Sequence, residues 1–401
     1  MVNKMENKKA WIEKTKKILL TIVRFIKKGL VSLFVKARPS LIAIGIGLTI
    51  GFIIMLIFNP SGAFPGLIHM LLGGFNNGVF SIADMLTKAT PIILTGVALV
   101  FAFKSGLFNI GASGQMIMGA YTAIHIGVLW NIPAPFHWIV AIILGTLAGA
   151  IWGMIPGLLK AYRNANEVVV TIMMNYIGTL TVIYLVKTYV YNDGYAKSLN
   201  IQTSAELPKL GGIFANTTLT IGIIIAVLVA ILGHIVMHKT TLGYQLQAAG
   251  MNPDGAKYAG MNEKANIIKT MMISGGLSGL AGALVYLVKG KNLGVTLVLL
   301  TEGFDGISVA LLGLNEPIGA LLAGLFLSHI NTGGFFMQVD GFVPQITEIV
   351  IAVIVYITAI SAGIQLYMKN RKLKKEQERL IQEKEANSWH CIIYYKPHLS
   401  V

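Results

Sequence analysis

The chain has 401 residues, 55% of them hydrophobic and 12% charged, with a formal net charge of +15. A soluble domain carries about a quarter charged residues, so half that share, with repeated apolar runs of about 20 residues, excludes a soluble globular protein and indicates a polytopic membrane protein. The single cysteine, Cys391, excludes an intramolecular disulfide and a cysteine-built metal cluster; the positive charge sits in an N-terminal arm, short loops and a C-terminal tail, which marks membrane topology rather than nucleic-acid binding.

Residues 1–39 form a basic arm. Its "ILLTIVRFIKKGLVSLFVKAR" reads either as an amphipathic segment lying on anionic lipid or as a solvated leader. The first long apolar run follows at 40–58 and reads as a span rather than a cleaved signal. Residues 60–78 are rich in turn formers and predict an outer loop with a short interfacial or re-entrant helix. Further spans are expected at 80–102, 110–130, 136–158, 168–187, 218–237 and 266–288. From Phe304 the apolar run is broken by "GLNEP" at 313–317, which predicts a pair of short or discontinuous helices. A last span is expected over about 345–368, then a basic tail at 369–401 whose end, "NSWHCIIYYKPHLSV", follows no periodic pattern. The sum is an all-α membrane bundle of about ten transmembrane helices, with a membrane domain over 40–368. Lys104, residues 160–163 and residues 238–264 fall inside and 188–217 outside, with both termini cytoplasmic.

Polar groups left unpaired in hydrocarbon cost several kcal/mol, so they turn towards protein or water. Four stretches raise that question. In "LTKATPIILTG" (86–96), Pro91 predicts a kink. "GLFNIGASGQMIMG" (106–119) sets Asn109, Ser113 and Gln115 among glycines, as helix–helix glue or as the lining of a path for a polar solute. In "NANEVVVTIMMNYIG" (164–178), Asn166 and Glu167 suit a helix start, while Asn175 lies deeper and is the better ligand candidate. In "TEGFDGISVALLG" (301–313), Asp305 is either an N-cap or a functional acid at membrane depth. The second and fourth stretches echo each other: Phe, then Asn or Asp, then Gly, before a small-residue helix. Interrupted segments in corresponding positions would point to a midplane solute site.

The loop 242–262, "LGYQLQAAGMNPDGAKYAGMN", has its own helical pattern, with Gly250 suited to end one short helix and Pro253 to open the next. It reads as a connector or as a docking surface. No G-x-x-x-x-G-K-[ST] phosphate loop, no H-E-x-x-H and no nucleophile–base set occurs, so neither an enzyme acting alone nor a metal site is expected, and any ATP would be hydrolysed on another subunit.

Together "KATPIILTGVALVFAFKSGLFNIGASGQMIMGAYTA", "NEVVVTIMMNYIG", "LGYQLQAAGMNPDGAKYAGMN" and "GFDGISVALLGLNEPIGALLAG" resemble the permease subunits of bacterial ABC importers for branched-chain amino acids, ribose-like sugars and nucleosides, nearest the nucleoside (basic membrane protein-dependent) branch. The similarity runs from about Thr87 to Gly363. It implies a type II ABC importer-like fold in the plasma membrane, working by alternating access. The implied partners are a second, similar but different permease chain, a cytoplasmic ABC ATPase that uses ATP and Mg, an extracytoplasmic solute-binding lipoprotein and membrane lipid. No cofactor is expected on this chain. The coupling segment would use Gly243, Gln247, Ala248, Ala249, Gly250, Asn252, Pro253 and Gly260. A nucleoside path would use Asn109, Ser113, Gln115, Asn175 and Asp305 for polar contacts and Phe108 or Phe304 for the base. The chain departs from the family at Ser113, where an acid is frequent, and at Gln245 and Gln247, where charges are common. Two alternatives stay open: another cargo (a sugar, a branched-chain amino acid or another small polar solute) within the family, and an ATP-independent secondary transporter using Asp84, Glu167, Asp305 or Glu348.

Overall fold

The computed structural model describes residues 40–358, with Arg38, Ile360 and Arg371 as isolated further positions. The arm and the tail otherwise lie outside the described residues. Contacts divide the chain into Ile46–Val355 and a unit made of the two chain ends. In the described part of the second unit the backbone is helical over 40–45 and 356–358.

The protein is a helical membrane bundle. Its helices are α1 (Ser40–Phe58), α2 (Ala63–Leu72), α3 (Gly78–Lys104), α4 (Ala112–Leu129), α5 (Phe136–Arg163), α6 (Glu167–Tyr189), α7 (Gly222–Lys239), α8 (Thr241–Met251), α9 (Pro253–Tyr258), α10 (Glu263–Tyr286), α11 (Thr301–Leu312), α12 (Pro317–Phe336) and α13 (Pro344–Thr358). Among the described residues seven of these, α1, α3, α5, α6, α7, α10 and α12, are long and apolar enough to cross a membrane. The remaining expected spans fall on α4, α11 and α13, the part of the last one beyond Thr358 lying outside the described residues. At about 1.5 Å per residue, the 12 residues of α11 reach some 18 Å, well short of a hydrocarbon core of about 30 Å. The short interfacial or re-entrant helix expected after α1 corresponds to α2, tied by His69 Nδ1 to Asp340 Oδ2 at 2.7 Å, just beyond α12. Residues 190–221 hold a two-stranded antiparallel hairpin, Tyr191–Asn192 with Lys197–Ser198.

The centre of the bundle is built from backbone. Gly145, Gly149 and Gly153 on α5 recur every four residues and so share one helix face, against Gly275 and Gly279 on α10. A Cβ on Gly149 would come within 2.6 Å of the Gly279 Cα, and one on Gly275 within 2.9 Å of the Gly153 Cα. Gly119 of α4 meets Gly279 in the same way. Small residues at such positions let helices gain van der Waals contact where lipid supplies no hydrophobic drive. Pro91 lies inside α3, and the Thr95 Oγ1 is 3.0 Å from the Pro91 carbonyl oxygen.

Candidate functional site

Two irregular stretches separate helices of the bundle. After α3, residues 107–110 run without regular structure into α4; after α10, residues 293–300 do the same into α11. The helices that follow them meet where Gly303 of α11 lies against Ser113 of α4, a Cβ there coming within 2.6 Å of the Ser113 Cα. Thr95 of α3 joins them, donating to the Glu302 carbonyl at 2.8 Å, with Gly306 packed on its side chain. Non-helical backbone at membrane depth is tolerated where it is buried in protein or lines a cavity. The two stretches show one of these each.

The first is closed on itself. Asn109 is fully buried; its amide donates to Gln115 Oε1 at 3.0 Å and Ser274 Oγ at 2.8 Å, and its oxygen accepts from the Gly111 N–H at 2.9 Å. Asn175, also buried, accepts from the Gly114 N–H at 2.7 Å and donates to the Ile110 carbonyl at 2.9 Å. These amides replace the helix hydrogen bonds that the break removes. Phe108 is more than a third exposed and stacks on Phe103. Ser113 Oγ is buried and has no hydrogen-bond partner among the described residues.

The second stretch is open. A cavity of about 240 Å³ lies beside it, lined by Ile117, Tyr286, Thr296, Leu300, Thr301 and Glu302 among others. Phe304 and Asp305 follow on the first turns of α11, both half-buried. Thus Asn109, Ser113, Gln115 and Asn175 form one interior cluster, Phe304 and Asp305 stand across the Ser113–Gly303 contact, and Glu302, Tyr286 and Thr296 are the cavity residues the sequence reading passed over. Glu302 in the run "TEGFDG" carried the signal.

The loop 242–262 folds into α8 and α9. Thr240 caps α8 by accepting from the Gly243 N–H at 3.2 Å. The first helix runs on to Met251 rather than ending at Gly250, and Asn252 caps α9, accepting from the Gly255 N–H at 2.9 Å, with Pro253 in its first turn. Gly250 instead serves packing: it presses on the Lys104 carbonyl, and a Cβ there would sit 2.8 Å from the Gly106 nitrogen. Gly106 itself turns with φ +72°, a left-handed conformation that glycine adopts without steric cost. Gln247 donates to the Met237 carbonyl at 2.7 Å, holding α8 to the end of α7. Tyr244, Met251 and Tyr258 are exposed, Tyr258 by 94%. The α8–α9 segment therefore rests directly on the turn that leads, three residues later, to Asn109.

Charges gather at the same end of the bundle. Lys160 Nζ and Glu167 Oε2 are 3.0 Å apart across the α5–α6 turn, while Asn166 caps α6. In "GLNEP", Leu314 and Asn315 take left-handed φ values of +57° and +56°. This turn brings Glu316 Oε1 to 2.6 Å from Lys104 Nζ, and Oε2 to 2.7 Å from His238 Nε2. Burial pushes the Glu316 carboxyl up, but hydrogen bonds from Lys104 and His238, and their charges, outweigh it and hold it below the ordinary carboxylate range. Its contribution is present at neutral pH and is lost as pH falls through that lowered value. Sequence reading took Lys104 as a topology marker and "GLNEP" as a helix break; it missed their meeting, because the partners are 212 residues apart.

Residues 81–359 match the family model described as branched-chain amino acid transport system / permease component. The chain is 40% identical over 346 residues to the guanosine ABC transporter permease NupP of Bacillus subtilis, covering 84% of this chain and 96% of that one. It is 35% identical to the nucleoside ABC transporter permease NupB of Lactococcus lactis, over 86% and 96% of the two chains. It is also 28% identical to the glucose ABC transporter permease TsgB13 of Haloferax volcanii, over 69% and 75%. No solved structure gives a significant match. With a family model matched over more than half its length and a bundle of helices long and apolar enough to cross a membrane, this multi-pass membrane chain belongs to the branched-chain amino acid transport system permease family.

Proposed function

We propose that this chain is the membrane-spanning permease of an ATP-driven importer and that its cargo is a nucleoside. The observation that carries the cargo is the near end-to-end likeness to two permeases named for guanosine and nucleosides. The open side of the bundle suits such a solute: Glu302 can accept from ribose hydroxyls, Thr296 and Thr301 can hydrogen-bond, and Tyr286 offers an aromatic face beside the cavity. Asp305, Phe304 and Phe108, with Asn109, Ser113, Gln115 and Asn175 behind them, complete the proposed path. The lower likeness to a glucose permease supports a second reading, in which the cargo is a sugar.

ATP and Mg belong to a separate cytoplasmic ATPase in this reading. The α8–α9 segment is its docking element, and the exposed Tyr244, Met251 and Tyr258 supply apolar contact. A push there reaches the membrane through Gly250 on Lys104–Gly106. Gly243, Gln247, Ala248, Ala249, Asn252, Pro253 and Gly260 shape and anchor that segment. A second, similar permease chain and an external solute-binding lipoprotein complete the assembly. Basic residues at the α8–α9 end of the bundle, Lys104, Lys160, Arg163, Lys239, Lys257, Lys264 and Lys269, support placing that end and both termini in the cytoplasm of a bacterial plasma membrane.

The test is uptake of labelled guanosine, uridine, ribose, glucose and leucine into vesicles holding the full assembly. ATP-dependent nucleoside uptake is expected. Uptake of glucose or ribose alone overturns the cargo, and uptake indifferent to ATP overturns the importer mechanism.

A further inference from the structure

Beside Glu316 stands a group with no part in the transport path. His234 and His238 lie four residues apart on the last turns of α7, hence on one helix face. Their rings are 4.5 Å apart between centroids and inclined by 53°. Glu316 approaches from the turn before α12, and one ligand atom from each of the three residues lies within 4.8 Å of the others. We propose that His234, His238 and Glu316 form a binding site for a zinc-class divalent ion, joining α7 to the α11–α12 turn.

Two imidazoles and one carboxylate are a borderline donor set, which selects zinc or a neighbouring first-row ion over Mg or Ca, whose preferred ligands are oxygens. A tetrahedral ion with bonds of about 2.0–2.1 Å sets its ligands about 3.3 Å apart. The three atoms, within 4.8 Å of one another, would reach that spacing by small side-chain adjustments. The backbone on both sides is fixed: the Asn315 N–H donates to the Ala310 carbonyl at 2.8 Å and the Ala320 N–H to the Glu316 carbonyl at 2.7 Å, while Gln247 holds the Met237 carbonyl. The carboxylate divides its two oxygens. Oε1 meets Lys104, and Oε2, facing His238, is the one that would ligate. With three protein ligands, water takes the fourth position.

Lys104 sets the strength. Its ammonium shares the carboxylate and repels a dication, so the site is weaker than its ligands alone would make it and responds to changes in free metal. Its place gives it an effect. Thr240, two residues after His238, caps α8, so a bound ion would tie the base of the α8–α9 segment to the α11–α12 turn and resist their relative motion. This departs from the sequence reading, in which no metal motif stood out: a histidine pair without its distant carboxylate is no motif.

The experiment titrates zinc into the purified full-length chain, carrying a histidine-free tag, against a chromophoric chelator, with Mg and Ca as controls. His390, Cys391 and His398 lie outside the described residues, and comparing variants with the parent cancels any zinc they hold. His234→Ala leaves Lys104, Glu316 and His238 in contact, and is expected to lower zinc affinity at least tenfold; His234→Gln, of similar volume, repeats the test should the alanine variant not fold. Lys104→Met is expected to tighten zinc severalfold. Zinc binding unchanged in a folded His234 variant overturns the site, and unchanged or weaker binding in Lys104→Met overturns the competition. ATP-dependent uptake by the parent should slow with zinc, and zinc-indifferent uptake overturns the regulatory role while the binding result stands. The titration needs no cargo, so it holds or fails apart from the nucleoside reading.

Discussion

The breaks at 107–110 and 293–300 solve one problem in two ways. Both are irregular segments between helices, and both lead into the pair of helices that meet at the Ser113–Gly303 contact. The first satisfies its backbone with Asn109 and Asn175 and is sealed; the second leaves Glu302, Tyr286 and two threonines beside a cavity. Polar side chains at membrane depth are thus of two kinds. Those whose donors and acceptors are used within the protein hold the fold, and those beside open volume are the ones a cargo would meet in the proposed path.

That division can be broken by substitution. Asn109→Leu should have the largest effect: it leaves the Gly111 N–H and the Ser274 and Gln115 side chains without their partner, at a cost of about 3 kcal/mol, read as a lowered unfolding midpoint in detergent together with lost uptake. Normal stability with altered cargo preference would move Asn109 to the solute side. Gly250→Val comes next. Forcing a branched side chain against Lys104 and Gly106 should lower ATP-dependent uptake at least about tenfold, with the membrane core still folded, since overpacking of about 1–3 kcal/mol falls on a junction. Glu302→Gln should raise the nucleoside KM severalfold and change the unfolding midpoint little; a large loss of stability instead would place Glu302 with the structural amides. Ser113→Ala should do least. Its hydroxyl has no partner among the described residues, so the change should stay within about 0.5 kcal/mol, and a marked loss of uptake would show that a solute is its missing partner.

Much of this was legible in the chain. Apolar runs located the spans because lipid demands length and apolarity, and "GLNEP" marked the break before α12. The two polar stretches that echo each other belong to helices in contact at Ser113 and Gly303. What spacing did not carry was direction. Asn109 and Gln115 are six residues apart, yet the decisive partners, Ser274 and Asn175, are 165 and 61 residues away from the donors on Asn109 and Gly114, so glue and path looked alike from local pattern. The Lys104–Glu316–His238 meeting was hidden for the same reason, and the Gly250–Gly106 contact showed in sequence as two ordinary turn glycines.

The backbone contacts between α5 and α10 have a consequence for motion. Interlocked side chains can slip by one notch, exchanging one set of contacts for another of similar energy. Gly149 on Gly279 and Gly153 on Gly275 leave no such teeth to exchange. Any sliding of these helices would bring a side chain where backbone now lies. In a transporter, α4, α5 and α10 would therefore act as a keel, moving together or staying still while rearrangement falls on elements packed less closely against them.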